Sequence, residues 1–259
     1  MIKVFKIGGN VIENSQMLEQ FCKDFASVDG MKVLIHGGGV MASKLQESLG
    51  QKPVKIEGRR VTDEEALKAV TMSYAGWCNK MLVATLQKYG CNALGLSGCD
   101  ANVVRASRRA PRTLTDGKTV VDYGFVGDVK PESINKDILT GFLDMGLTPV
   151  LNAINHDGKG QLLNTNADTI ACSVAASLEA ELVCCFELDG VLADRNDPDS
   201  VIPVIDTDKF EEMKATGQIA DGMIPKIENC LTALSNGAVK ARIKNATRIT
   251  DDSGTEIEL

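Results

Sequence analysis

KVFKIGGN (residues 3–10) and KVLIHGGG (residues 32–39) are the stretches from which the fold is read, because each is a short apolar run that ends in glycines. Residues 16–28 and 40–49, one segment after each run, carry apolar side chains at helical spacing. Strand and helix alternating in this way is the signature of βαβ units on a largely parallel sheet, so the fold class is α/β. Residues 63–89 read as one long helix or two consecutive ones, since Ala66, Leu67, Val70, Tyr74, Trp77, Met81, Leu82, Thr85 and Leu86 recur at three- and four-residue spacing. So wide a stripe is core, with part of it free to be a dimer face. CNALGLS (91–97) is a strand, residues 103–126 a hairpin, residues 133–145 a helix, and TPVLNAI (148–154) a strand beside the turn-rich NHDGKGQ (155–161).

The second part reads as a helix at 167–178, a strand at 181–186, and a loop at 189–199 that is dense in turn formers. Helices follow at 208–216 and 225–235, with Pro225 suited to the first helical position, and strands at 239–243 and around Ile249. A lobe boundary falls near residue 180, giving an N-terminal lobe of residues 1–180 and a C-terminal lobe of residues 181–259.

With 259 residues, 44% of them hydrophobic, the chain can bury a sizeable core. Its formal net charge of -7 provides no long-range attraction for nucleic acid or an anionic membrane, so an anionic ligand must be held by local positive groups. The one basic run, RASRRAPR (105–112), reads as a solvated hairpin and receives no function. Eight cysteines lack the spacings of a zinc site and fall mostly in apolar stretches, so no protein metal site is expected and the cytoplasm fits best. There is no leader-like segment and no apolar run of about 18 residues.

Lys6, Gly8 and Gly9 lie at a strand's carboxyl end, where α/β sheets bind ligands. Glycines there let backbone N–H groups approach phosphate oxygens, and Lys6 can neutralise their charge. Gly37 and Gly38 repeat the device with a helix behind them, while His36 is expected to orient that loop by hydrogen bonding rather than to act as a base. Neither loop is GxxxxGK[ST], and neither is GxGxxG followed by the matching acidic residue, which argues against P-loop and Rossmann sites.

KIGGN, HGGG, GRRVTD, NTNAD and DGMIPK occur in the order and approximate spacing of the acetylglutamate kinases, and GLSGCD (95–100), DYGFVGDV (122–129), LDGVL (188–192) and GTEI (254–257) extend the match. From end to end the sequence resembles this branch of the amino acid kinase family. The resemblance implies a three-layer α/β/α sandwich with an open, mainly parallel eight-stranded sheet. It implies ATP-dependent phosphorylation, with Mg²⁺ carried by the ATP, of the side-chain carboxylate of N-acetyl-L-glutamate in arginine biosynthesis. By it, Lys6 and Lys226 flank the transferred phosphoryl group and Asp168 holds both lysines. Gly8, Gly9, Gly37 and Gly38 donate amides, Arg60 and Asn164 grip the amino acid, and Asp189, Gly222 and Lys226 lie near the nucleotide. The N-terminal lobe then binds acylglutamate and forms the dimer, and the C-terminal lobe binds ATP.

Two departures stand out. Where many relatives read L-[ST]-D-x-x-G, this chain has Cys185-Phe186-Glu187-Leu188-Asp189-Gly190. The residue before the motif arginine, commonly leucine, is Arg59, which turns to solvent or pairs with an additional carboxylate, as in an N-succinyl substrate. N-succinyl-L-glutamate therefore stays open as a substrate. A carbamate or aspartate kinase would share the glycine turns, and a non-catalytic nucleotide- or amino-acid-sensing protein would share the fold. Arginine-inhibited relatives carry an additional N-terminal helix, whereas this sequence starts at the first strand, so an arginine-insensitive homodimer joined around residues 64–89 is expected.

Overall fold

Period-two alternation along the first strand decides which layer each of its side chains joins. In the computed structural model, which describes residues 1–194, 196–219 and 222–259, Val4 packs into one core while Phe5 and Ile7 pack into another. Arg195 in the expected 189–199 loop and Asp221 of DGMIPK lie outside the described residues. One core on each face of the sheet makes three layers.

Eight strands form the sheet: β1 (Lys3–Ile7), β2 (Lys32–His36), β3 (Ala93–Leu96), β4 (Thr148–Leu151), β5 (Glu181–Phe186), β6 (Val204–Ile205), β7 (Lys240–Asn245) and β8 (Thr255–Ile257). Their order is β6-β8-β7-β5-β1-β2-β4-β3, and every neighbouring pair is parallel except β7 with β8. β1 is therefore central, with Lys6 in register between Ile35 of β2 and Cys184 of β5. Parallel pairing brings the carboxyl ends of β1, β2 and β5 to one edge, so both glycine turns open there. The sheet runs unbroken past residue 180, because β5 is hydrogen-bonded along the length of β1.

The helices are α1 (Gly9–Glu13), α2 (Ser15–Ser27), α3 (Gly39–Ser48), α4 (Glu64–Thr71), α5 (Asn79–Lys88), α6 (Lys136–Asp144), α7 (Ala167–Ser177), α8 (Thr207–Ala215) and α9 (Ile224–Ser235). Buried residues of α1, α2 and α5 fill the core on the Phe5 side. Those of α4, α6, α7, α8 and α9 fill the core on the Val4 side.

Several boundaries differ from those read in the sequence. The last strand is β8, antiparallel to β7, and Ile249 is in no strand; it packs into the Phe5-side core instead. Residues 107–128 form the hairpin through two short antiparallel pairs, so it closes beyond residue 126. α9 begins at Ile224, which makes Pro225 its second residue. The KIGG turn is also the start of α1, too short a helix to show a periodic signal. Between α4 and α5 the chain is a π-helix, Met72–Cys78, so the long helical stretch is continuous but locally widened. That widening turns Tyr74 and Cys78 onto Gly38, while Met72 and Trp77 stay 52% and 63% exposed.

Candidate active site

Lys6 Nζ lies 2.6 Å from Asp168 Oδ1, and the two side chains are 14% and 29% exposed. Asp168 could have been a helix cap, but Asn166 has that role: its side chain accepts the Asp168 N–H at 2.7 Å. The carboxylate one position inside the helix is thus left for Lys6. Burial of Lys6 works against its charged form, yet the adjoining Asp168 charge and hydrogen bond outweigh it, and the Lys6 pKa is raised. The ion pair therefore favours the charged form of Lys6.

Around this pair, Gly8, Gly9, Gly37, Gly38 and Gly39 line a cleft of about 270 Å³. The N–H groups of Gly8, Gly37 and Gly38 find no acceptor among the described residues. His36 explains how the second turn is aimed. Its ring is wholly buried, Nδ1 lies 2.7 Å from the Gly37 carbonyl oxygen, and Nε2 lies 3.0 Å from Asn79 Nδ2, which also donates to Val150 O. An amide nitrogen can only donate, so Nε2 accepts from Asn79 Nδ2 and the ring proton is on Nδ1, donated to the Gly37 carbonyl. In a trans peptide the carbonyl and the following N–H point in opposite directions, so pinning Gly37 O inward turns the Gly38 N–H outward.

Burial also pushes the His36 pKa from 6.5 down to about 4, against the opposing bond to Gly37. The unfolded chain takes up a proton near 6.5 that the folded chain refuses until about 4. Stability is fully present above 6.5 and is lost as pH falls toward 4. We expect urea denaturation to report a loss of about 2 kcal/mol between pH 7.5 and pH 5 from this group. A His36→Asn variant should lack that part of the slope; an unchanged slope would remove the account.

The other end of the cleft carries Arg60, on a short hairpin pairing Lys55–Ile56 with Arg59–Arg60. Arg60 is 8% exposed and donates to Gly39 O and Ser43 Oγ, both at 2.8 Å, and to Gln46 Oε1. These acceptors hold the guanidinium in place but leave its charge unbalanced, since it has no carboxylate partner among the described residues. Asn164 is buried beside the cleft and donates to Thr62 Oγ1 at 3.0 Å. Arg59 lines the cleft from an exposed position; burial, Arg109 and Arg112 lower its pKa. Arg109, from the basic run given no function, also lines the cleft and forms a forked ion pair with Asp128. Lys55 and Tyr74 line it too; neither sits in a motif that marks it, and only the hairpin and the π-helix bring them there.

Lys226 stands in the first turn of α9, close enough to Lys6 and Asp168 to feel both charges. Its pKa is lowered by burial first and by Lys6 second. Asp168, expected to hold both lysines, is paired with Lys6; among the described residues Lys226 has no ion-pair partner, and its ammonium lies over the Phe186 ring. Asp189 is engaged away from the lysines, accepting from Asn245 Nδ2 at 2.8 Å and pairing with Arg248 at 2.9 Å. Gly222 is exposed, with open space around it. None of Lys226, Asp189 and Gly222 is among the residues that line the glycine cleft. Among the described residues no cluster of three or more His, Cys, Asp or Glu could hold a metal ion, and no helix is long and apolar enough to cross a membrane.

The amino acid kinase family matches residues 1–245. An acetylglutamate kinase of Phocaeicola vulgatus is 46% identical over 261 aligned positions, covering 99% of this chain and 98% of that protein. One of Methanopyrus kandleri is 37% identical over 98% of this chain and 99% of its own. Among solved structures, the smu.665 protein of Streptococcus mutans is 30% identical, covers 99% of this chain and 98% of its own, and has a TM-score of 0.77.

Proposed function

Because this chain belongs to the amino acid kinase family, we propose that its glycine cleft is where ATP passes its γ-phosphoryl group to a substrate carboxylate. The activity is ATP-dependent phosphorylation of the side-chain carboxylate of N-acetyl-L-glutamate, a step of arginine biosynthesis. The observation that carries the site assignment is the Lys6–Asp168 ion pair in a cleft whose glycine amides are unpaired, with the Lys226 ammonium near enough to feel the Lys6 charge. A surplus of positive charge in that place suits a reaction between anions.

A carboxylate is already ionised at neutral pH and needs no base. One of its oxygens attacks the γ-phosphorus as the bond to the β,γ-bridging oxygen breaks, and ADP leaves with that electron pair. Lys6 and Lys226 lie on either side of the moving phosphoryl group, and the amides of Gly8, Gly9, Gly37 and Gly38 face its oxygens. The collision that any side chain at Gly38 would meet supports a close backbone approach to phosphate. ATP would bring Mg²⁺ with it, which would offset phosphate charge alongside Lys6 and Lys226. Asp168 keeps Lys6 in place. Arg60 takes the α-carboxylate as the counter-charge it lacks, with Asn164 alongside. The adenosine end lies toward residues 181–259, past Asp189 and Gly222, and residues 1–180 hold the acylglutamate. Exposed Met72 and Trp77 on the π-helix support a homodimer joined there, which light scattering at the mass of one subunit would exclude. The cytoplasm suits its eight free thiols.

The relatives favour the acetyl over the succinyl substrate and an enzyme over a sensor. Trapping the acyl phosphate with hydroxylamine should give ATP-dependent hydroxamate from N-acetyl-L-glutamate, with kcat/KM at least about tenfold above that for the N-succinyl compound. The reverse order would overturn the acetyl assignment, and no hydroxamate from either would leave only a binding protein.

A further inference from the structure

Lys226 has a neighbour that phosphoryl transfer does not explain. Its ammonium lies 3.7 Å from the centroid of the Phe186 ring, whereas the other cation–aromatic contacts among the described residues span 5.0 to 6.0 Å. We propose that Phe186 is a positioning residue whose ring seats the Lys226 ammonium at the transfer point, in place of a second grip by Asp168. The proposal rests on the assignment of Lys226 to the phosphoryl group.

Both partners are mounted on rigid elements. Phe186 is the last residue of β5; its carbonyl accepts the Ala246 N–H at 2.8 Å, and its side chain is buried in the core beneath α7 and α9. Lys226 is anchored through its own N–H, which donates to Met223 O at 2.9 Å. Left to itself, a four-carbon side chain carrying an ammonium repelled by Lys6 would swing into solvent. The negative face of an aromatic ring holds it without adding an anion.

That distinction bears on catalysis. Glu187 and Asp168 lie near enough to favour the charged form of Lys226, yet neither is paired with it among the described residues; a carboxylate in direct contact would cancel its charge and repel the incoming phosphate, which a ring does not.

Two readouts test it on the full-length protein. Lysine labelled with ¹³C should show the Lys226 ε-methylene shifted upfield by the ring; the shift should vanish in Phe186→Leu and persist in Phe186→Tyr. Phe186→Leu should lower kcat/KM for ATP about tenfold, and Phe186→Tyr should stay within about twofold of the native value. In a Lys226→Ala background, Phe186→Leu should cause no further loss. Absence of the upfield shift, or an equal loss with and without Lys226, would overturn the seat and make Phe186 a packing residue. Native turnover in Lys226→Ala would instead remove the transfer role of Lys226, and the ring shift would still report the seat by itself.

Discussion

Lys6→Met should lower kcat for acyl phosphate formation by about a thousandfold and leave the secondary structure unchanged. The loss has two sources. The ammonium proposed to meet the phosphoryl oxygens disappears, and Asp168, 2.6 Å away and largely enclosed, is left as an uncompensated carboxylate in the proposed phosphate site. The second source also costs folding stability, because breaking an enclosed ion pair from one side strands the other charge. At 29% side-chain exposure Asp168 keeps some hydration, so about 1–3 kcal/mol by urea denaturation is the expected cost. The double variant Lys6→Met/Asp168→Asn separates the two effects: stability should return, since no charge is stranded, while turnover stays lost. A single variant that keeps more than a tenth of native kcat would rule Lys6 out of the transfer step.

The second large effect is expected at Gly38. A Cβ built there falls 2.8 Å from Tyr74 Cδ1 and 3.1 Å from Cys78 Sγ, both held by the π-helix, and the backbone φ of +159° is one that side chains rarely adopt. Tyr74 is 7% exposed and packed in the core, so the glycine turn, rather than the tyrosine, must give way. Amides aimed at a phosphoryl group tolerate little displacement, and a shift approaching 1 Å costs on the order of a hundredfold. Gly38→Ala should therefore reduce kcat/KM by about that factor and destabilise the fold by about 1–3 kcal/mol. Gly141→Ala in α6 is the comparison, because a Cβ there meets nothing within 4 Å; its activity should be native and its stability undiminished. Native kinetics in Gly38→Ala would mean that this turn does not hold the phosphate.

Much of this architecture is legible along the chain. The alternation in KVFKI and KVLIH, the helical spacing of 167–178 and 225–235 and the turn formers at 189–199 are local signals, and local signals survive in a sequence because each element satisfies its own backbone before it packs. Weak spots are places where packing competes with pattern. The π-helix has the apolar spacing of an ordinary helix, and only its contact with Gly38 distinguishes it. β8 has three residues, too few for periodicity, and exists because β7 offers it an edge.

By itself the sequence determined the α/β class, the parallel core strands, both glycine turns and, through its ordered motifs, the family and the reaction. Tertiary structure decided which charges meet. Asp168 joins Lys6 but not Lys226, Asp189 is taken up by Asn245 and Arg248, Arg109 turns from a solvated hairpin into the cleft, and Phe186 comes to lie beneath a lysine 40 residues further along the chain. Such pairings depend on strand register and on how helices lie across a sheet. Those relations link residues far apart in the chain, and no local spacing encodes them.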